Sequence, residues 1–243
     1  MYIIHEDAPR NIGESELISS SVSVRYSSGL IMEGLDNRDQ VGGGLQCTGH
    51  AQWSAGTLLA EFILENRDEI LGKTLVELGC GLGLCGLTAA VVMGDSCSSI
   101  VMTDGDQKSL GFAQQNGIRN AALFVSSPLF SRLLWGSREG VASVKELIQG
   151  KDFDVVLGGD LIYEAAAKSK LLFFTASLLL RSGGVFFLGF ARREVQIETV
   201  LEDAKASGFT WSIAQDFIVD IFGNRVCDLT DFWQSAVFIF SKN

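Results

Sequence analysis

Apolar residues at Trp53, Leu58, Leu59, Phe62 and Ile63 recur at helical spacing and predict a helix over 53–66. The run Lys73-Thr-Leu-Val-Glu-Leu-Gly79 follows as a short apolar strand ending in a glycine-rich turn. A buried helix over 84–93, a second strand over 99–104 and a helix over 107–116 come next. Residues 122–125 read as a weak third strand, and 126–150 as a long connector with a helix near 141–148. A strong fourth strand covers 153–158, and a helix over 165–180 is closed by Ser182-Gly183-Gly184. A fifth strand over 185–190 precedes a helix over 194–207 that ends at Gly208. Two β-like stretches, 210–213 and 217–222, lead to an apolar final strand over 233–240. Strands that alternate with helices, several of them continuous apolar runs, indicate an α/β fold with a mostly parallel sheet covered on both faces. The closing β segments lack an intervening helix and predict a C-terminal antiparallel hairpin.

The first 45 residues differ. They are rich in Ser and Gly, and only 17–26 suggests a strand, with Val22 and Val24 alternating against Ser23 and Arg25. Gly42-Gly43-Gly44 is too flexible for an element interior. Residues 1–45 are therefore expected to be an arm or small hairpin lying on a main domain of 46–243, with a disordered start.

Composition narrows the function. A chain of 243 residues, 47% apolar and 20% charged, suits one α/β domain with a short extension. Nineteen Lys and Arg against 29 Asp and Glu leave a net charge of −10. No fold-wide basic face for nucleic acid is expected, and a lysine-bearing protein segment is the better electrostatic match. Five cysteines with no CxxC pair favour a reducing compartment over a disulfide framework. His5 and His50 are the only histidines, which argues against a histidine-rich metal site, and no metal is expected. The start MYIIHEDAPRN lacks the pattern of a signal peptide, and the greasiest segment, 171–180, is too short to span a bilayer. No membrane partner is expected, and the expected location is the cytoplasm or the nucleus.

The candidate chemistry begins at Glu77-Leu-Gly79-Cys-Gly81-Leu-Gly83, between the first strand and a helix. Glycines there let backbone turn tightly and approach a ligand, and the next helix offers free N–H groups. Asp104 ends the second strand, where a carboxylate can accept both hydroxyls of a ribose. An adenosine-bearing cofactor is implied. Gly81, Gly83 and Gly86 also satisfy G-x-G-x-x-G, the dinucleotide pattern. Glu77 would repel a pyrophosphate there, whereas an ammonium and a cationic sulfur would tolerate it. S-adenosyl-L-methionine, leaving as S-adenosyl-L-homocysteine, meets that requirement.

These residues resemble the class I, seven-strand S-adenosylmethionine-dependent methyltransferases. From about residue 44 to 240 they are most similar to the METTL-type protein-lysine methyltransferases, which act on elongation factor two, calmodulin and certain chaperones. Thr48-Gly49-His50-Ala51-Gln52-Trp53 resembles the family's Gly-x-x-x-Trp opening. Thr103-Asp104-Gly105-Asp106 resembles its second cofactor motif, and Asn116 and Asn120 a recurrent Asn-x-x-x-Asn. Leu134-Trp135-Gly136 is similar to its Leu-x-Trp-Gly turn, and Asp160-Leu-Ile-Tyr163 to its Asp-x-x-Tyr signature. Cys80 departs from the commoner Ala or Ser. The stretch 53–77 resembles the elongation factor two enzyme particularly well, whereas Thr103-Asp104-Gly105 and Arg192-Arg193 resemble the calmodulin enzyme, so the substrate stays open.

The resemblance implies a Rossmann-like seven-stranded sheet and a monomer that methylates the side-chain amine of a protein lysine. It implies that Glu77, Gly79, Gly81 and Gly83 cradle the amino acid part of the cofactor, that Asp104 and Gly105 take the ribose, and that Trp135 packs on adenine. Trp53 would close the pocket, Asp160 would meet the methionine ammonium or the incoming amine, and Tyr163 would wall the lysine channel. Asp160 and Tyr163 are thus the catalytic candidates. Phe190, Arg192 and Arg193 follow the fifth strand on the same edge, to meet an acidic substrate or solvent. The alternatives are a methyltransferase acting on a small molecule or another protein atom, a nicotinamide-dependent oxidoreductase, and a non-catalytic binding module.

Overall fold

The structure, a computed structural model, describes residues 3–6, 21–35, 48–94, 99–163, 167–193 and 195–243. The glycine run 42–44, the start of the strand expected over 17–26, and residues 164–166 and 194 lie outside the described residues.

A small antiparallel sheet, in the order β1-β2-β3, is built from β1 (Ile3–Glu6), β2 (Ser21–Arg25) and β3 (Ile31–Leu35). The main sheet contains β4 (Leu75–Glu77), β5 (Ile100–Asp104), β6 (Leu129–Arg132), β7 (Phe153–Gly159) and β8 (Leu180–Ala191), all parallel. It is completed by β9 (Phe209–Asp220), the two-residue β10 (Arg225–Val226) and β11 (Trp233–Lys242). The order is β10-β9-β11-β8-β7-β4-β5-β6, with β11 antiparallel to both β8 and β9. The expected mostly parallel sheet with a terminal antiparallel hairpin is what the chain forms.

Helices α1 (Ser54–Glu65), α2 (Leu84–Met93) and α3 (Gln107–Arg119) cover one face. Helices α4 (Arg138–Glu146), α5 (Ala167–Leu179) and α6 (Ile197–Ala206) cover the other. Successive strand residues point to opposite faces. Leu75, Val155, Leu157 and Phe187 therefore join the α1–α3 core, while Val76, Val156, Phe186 and Leu188 join the α4–α6 core. Burial on both faces is why these strands are unbroken apolar runs. Neighbours of β4 diverge, β5 on one side and β7 on the other, so the carboxyl end of β4 is the switch point where open α/β sheets bind ligands.

Three local expectations are corrected. The third strand is not at 122–125: Ala121–Leu123 is a 3-10 turn, and β6 lies at Leu129–Arg132. As the edge strand β6 leaves Leu129 exposed, so its apolar signal is faint. Ser182-Gly183-Gly184 does not close α5. The helix passes directly into β8, because the Lys242 ammonium of β11 binds the Ser177 carbonyl at 2.6 Å and the Leu180 carbonyl at its end. The glycines instead sit where the β7–β8 register shifts, with Gly183 at φ 70°. The stretches 210–213 and 217–222 belong to the single strand β9, apart from residues 221–222.

The Asn-x-x-x-Asn pair ties the two sheets together. Asn120 accepts from the Ile31 N–H at 2.8 Å and donates to the Ile31 carbonyl at 2.8 Å. Asn116 accepts from the Glu33 N–H at 2.9 Å and donates to the carbonyls of Glu33 and Leu82, each at 3.0 Å. Two buried side chains at the C-terminal end of α3, Asn116 within the helix and Asn120 just after it, thus complete the edge of β3 and reach the glycine turn.

Candidate active site

β4 delivers the chain to a turn in which Gly79, Gly81 and Gly83 take φ of 58°, 52° and 92°. Side-chain residues rarely adopt these angles, so the glycine spacing is a backbone requirement. Space is also short: a Cβ on Gly81 would sit 3.1 Å from the Gly49 carbonyl oxygen, and one on Gly79 2.6 Å from Leu161 Cδ2 with the Trp135 ring in contact beyond it. The turn is overlaid by the 3-10 segment Thr48–His50.

Glu77 lies beneath the turn, 2% exposed, and accepts the Gly86 N–H of α2 at 3.0 Å. A Cβ on Gly86 would meet that oxygen at 2.4 Å, so glycine is also required there. Burial pushes Glu77 up to about 8, the Gly86 N–H resists, and the charge of Asp104 adds to the rise. Asp104, at the tip of β5, accepts from Gly81 N–H and Asp106 N–H, each at 2.9 Å. Burial raises it as well, against those donors. The chain then returns past it: Leu133 N–H donates to the Asp104 carbonyl at 3.0 Å and Arg132 Nε to the Gly105 carbonyl at 3.0 Å. This return, with Gly136 N–H held by Thr175 Oγ1 at 2.8 Å, brings Trp135 over the glycine turn.

His50 and Asp106 close the far side. Asp106 caps α3 by accepting from Ser109 N–H at 2.7 Å and Ser109 Oγ at 2.8 Å, and His50 Nε2 lies 3.3 Å from it. Burial pushes Asp106 up, but these partners outweigh it and hold the carboxyl below its ordinary value. The Asp-x-x-Ser spacing after a strand is a capping signal that could have been read from the sequence; the histidine contact could not.

Asp160 follows Gly158-Gly159 at the tip of β7 and takes φ 59°, a left-handed conformation that costs a non-glycine residue about 1 kcal/mol or more. Its N–H is held by the Gly189 carbonyl at 2.8 Å, and its carboxylate receives Ala55 N–H from the first turn of α1 at 3.4 Å. Arg193 forks onto both carboxylate oxygens, with Nη2–Oδ2 at 2.9 Å. The guanidinium also lies 5.4 Å from the ring of half-buried Trp53, the residue that precedes α1. Tyr163 is half-buried on the same stretch, with the Lys168 ammonium 5.2 Å over its ring.

Phe190, Arg192 and Arg193 thus separate. Arg193 pairs with Asp160 and stays partly exposed. Arg192 donates to the Asp231 carbonyl at 2.8 Å and lies 5.9 Å from the Trp233 ring. Phe190 is corrected from an edge residue to a core residue, 1% exposed between Trp233 and Phe238. Burial pushes the thiols of Cys80 and Cys85 well up, so both are neutral packing residues. Among the described residues no helix is long and apolar enough to cross a membrane, and no cluster of three or more His, Cys, Asp or Glu could hold a metal.

A protein family described as lysine methyltransferase matches residues 34–206. Among curated proteins, the chain is 27% identical over 159 residues to a protein N-terminal and lysine N-methyltransferase, EFM7, of Debaryomyces hansenii, covering 63% of this chain and 61% of that one. It is 24% identical over 208 residues to the calmodulin-lysine N-methyltransferase of Arabidopsis thaliana, covering 84% of this chain and 60% of that one. The chain therefore spans about three fifths of the length of these relatives. Among solved structures it superposes on a methyltransferase from Pyrococcus furiosus with a TM-score of 0.55 and 17% identity, covering 85% of this chain and 93% of that one, a likeness of fold. Fold, glycine turn and family match agree: this chain belongs to the lysine methyltransferase family and carries a class I S-adenosylmethionine-dependent methyltransferase domain.

Proposed function

We propose that the chain transfers a methyl group from S-adenosylmethionine to the side-chain amine of a lysine in a protein substrate. The observation that carries the reading is the meeting of two carboxyl groups, Glu77 and Asp104, at one glycine turn at the strand tips. An arriving ammonium can draw Glu77 into its ionised form, whereas a diphosphate would be opposed by the Asp104 carboxylate.

The residues fit the cofactor. Backbone around Gly79 and Gly81 is kept bare, Glu77 can receive an ammonium, Asp104 is a hydroxyl acceptor, and Trp135 offers an apolar face over the turn. When bound, S-adenosylmethionine supplies an electrophilic methyl on a cationic sulfur. The chain need supply no nucleophile. Its own residues hold the acceptor in line, exclude water and receive the amine without its proton. Free lysine has a pKa near 10.4, so a desolvated channel walled by Tyr163 and Trp53 would favour loss of that proton on entry.

The acceptor is proposed to be a protein because the net charge of −10 complements a lysine-bearing segment. Translation factors, calmodulin and chaperones are the substrate classes proposed, and the working form is proposed to be a monomer. A second reading is methylation of a protein N-terminal amine, favoured by the likeness to the Debaryomyces hansenii relative. The test is a melting and titration series with S-adenosylhomocysteine and NAD, followed by transfer of labelled methyl to a hypomethylated lysate. Stabilisation by S-adenosylhomocysteine alone, with label on protein, is expected. Binding of NAD instead, or no label on any protein, contradicts the proposal.

A further inference from the structure

The Asp160 side chain is 1% exposed and that of Arg193 28%, and both oxygens of the carboxylate are taken by the guanidinium. The pair joins the tips of β7 and β8, and through Trp53 and Ala55 the start of α1. A buried carboxylate demands such a partner. The carboxylate does receive the Ala55 N–H of α1, but at φ 59° a glycine would serve the backbone better. A strained, buried and fully paired charge at a strand tip points to function.

We propose that Arg193 holds Asp160 as a charge-neutral pair, so that the acceptor amine meets no net negative charge at the site and arrives unprotonated. The inference rests on the amine-transfer reading above and makes Arg193 a positioning residue that acts through Asp160. A bare carboxylate beside an amine favours the ammonium form, which has no lone pair to attack with. With the fork in place the oxygens are already satisfied, yet they still fix the rim of the channel. The amine gives its proton to solvent on entry. The N–C bond then forms from its lone pair as the C–S bond breaks with its electrons going to sulfur, and the product leaves as a methylated ammonium.

The groups that face Asp160 are few among the described residues. Arg193 faces it after β8, the Ala55 N–H from α1, and the neutral Cys85 thiol from α2, which the Glu77 carboxyl also approaches. Tyr163, beneath the Lys168 ammonium, follows on the same segment. Glu77 titrates near 8 in the free protein, so the comparison between variants, not one profile, carries the result.

The experiment uses the full chain, labelled S-adenosylmethionine and a hypomethylated lysate as acceptor. Rates are read from about pH 6.5 to about pH 10, a range that approaches the lysine pKa near 10.4. Arg193→Met should move the acid limb up by about one pH unit, with a roughly tenfold loss near pH 7 that vanishes near pH 10. Arg193→Lys should restore at least half of the shift. Affinity for S-adenosylhomocysteine, read by calorimetry, should stay within about threefold in both, since the fork lies outside the glycine cradle. A loss of equal size at every pH, or an unshifted limb, overturns the inference. If Arg193→Met fails to fold, Arg193→Gln, which keeps donors without the charge, takes its place under the same two outcomes. A wild type that labels no protein overturns the amine-transfer reading and this inference with it. A labelling wild type with unshifted variants overturns the inference alone.

Discussion

Glu77 shows how one buried residue couples cofactor, proton and stability. Burial raises its folded value to about 8, from an ordinary 4.5, so the free protein carries it mostly protonated near neutrality. A raised carboxyl stabilises the fold fully below the unfolded value, and that contribution disappears as the pH climbs through the folded one. The melting temperature of the free protein should therefore fall between about pH 5 and about pH 9, with a loss of at most about 5 kcal/mol, and Glu77→Gln should flatten the decline. An ammonium arriving beside Glu77 draws it into the ionised form. Binding of S-adenosylhomocysteine near pH 7 should thus release close to one proton, measured by calorimetry in two buffers of different ionisation enthalpy. Absence of that release, or its persistence in Glu77→Gln, would count against an ammonium site at this carboxylate. Asp104→Ala removes the partner of the Gly81 N–H together with the proposed ribose acceptor, and should weaken S-adenosylhomocysteine by about 100-fold or more. Asp160→Ala and Tyr163→Phe should lower turnover by about 10- to 100-fold, with Tyr163→Phe leaving cofactor affinity near wild type.

At the scale of elements, α3 is the part that makes the small sheet and the glycine turn one assembly. Asn120→Ala would leave the N–H and carbonyl of Ile31 without their partner, at a cost of about 1–3 kcal/mol. The expected signature is a lower melting temperature and faster hydrogen exchange at Ile31, while exchange in β7 and β8 stays protected. Unchanged exchange at Ile31 would remove the clamp. The sequence showed the asparagines but not their partner, because the bond spans 89 residues and leaves no local period. The same limit explains the misplaced third strand, since an exposed edge has no buried run to read. It also explains the end of α5, where a lysine 65 residues away binds the Ser177 carbonyl and also takes that of Leu180 at the start of β8. Elements buried on both faces, such as β7 and β8, were legible because their burial is written as unbroken apolar runs.

At the scale of the molecule, the parallel strands all present their carboxyl ends to one edge, and Asp104 and Asp160 were legible as candidates because they end strands there. Arg193 was legible only as a charge near that edge; its partner lies on another strand, 33 residues earlier. Exposed apolar residues share the edge. Phe222 is 76% and Phe232 60% exposed where β9 ends and β11 begins, and Ile221 N–H donates to the Phe232 carbonyl at 2.9 Å. Acidic Asp228 and Asp231 lie on the same connection, a face that would suit the lysine-bearing segment proposed above. Phe222→Ser with Phe232→Ser should raise KM for the protein acceptor about tenfold and leave S-adenosylhomocysteine affinity unchanged. Equal KM values would place the acceptor elsewhere.

All of these rest on methyl transfer to a protein amine at an acid-lined pocket of the strand tips. The most direct measurement is peptide mass spectrometry of a hypomethylated lysate after incubation with the chain and isotopically labelled S-adenosylmethionine. The account predicts labelled methyl on the side-chain nitrogen of a lysine in one or a few proteins, absent when Asp104 and Asp160 are both replaced by Ala. Label confined to small molecules, or to protein carbon or sulfur, would contradict it.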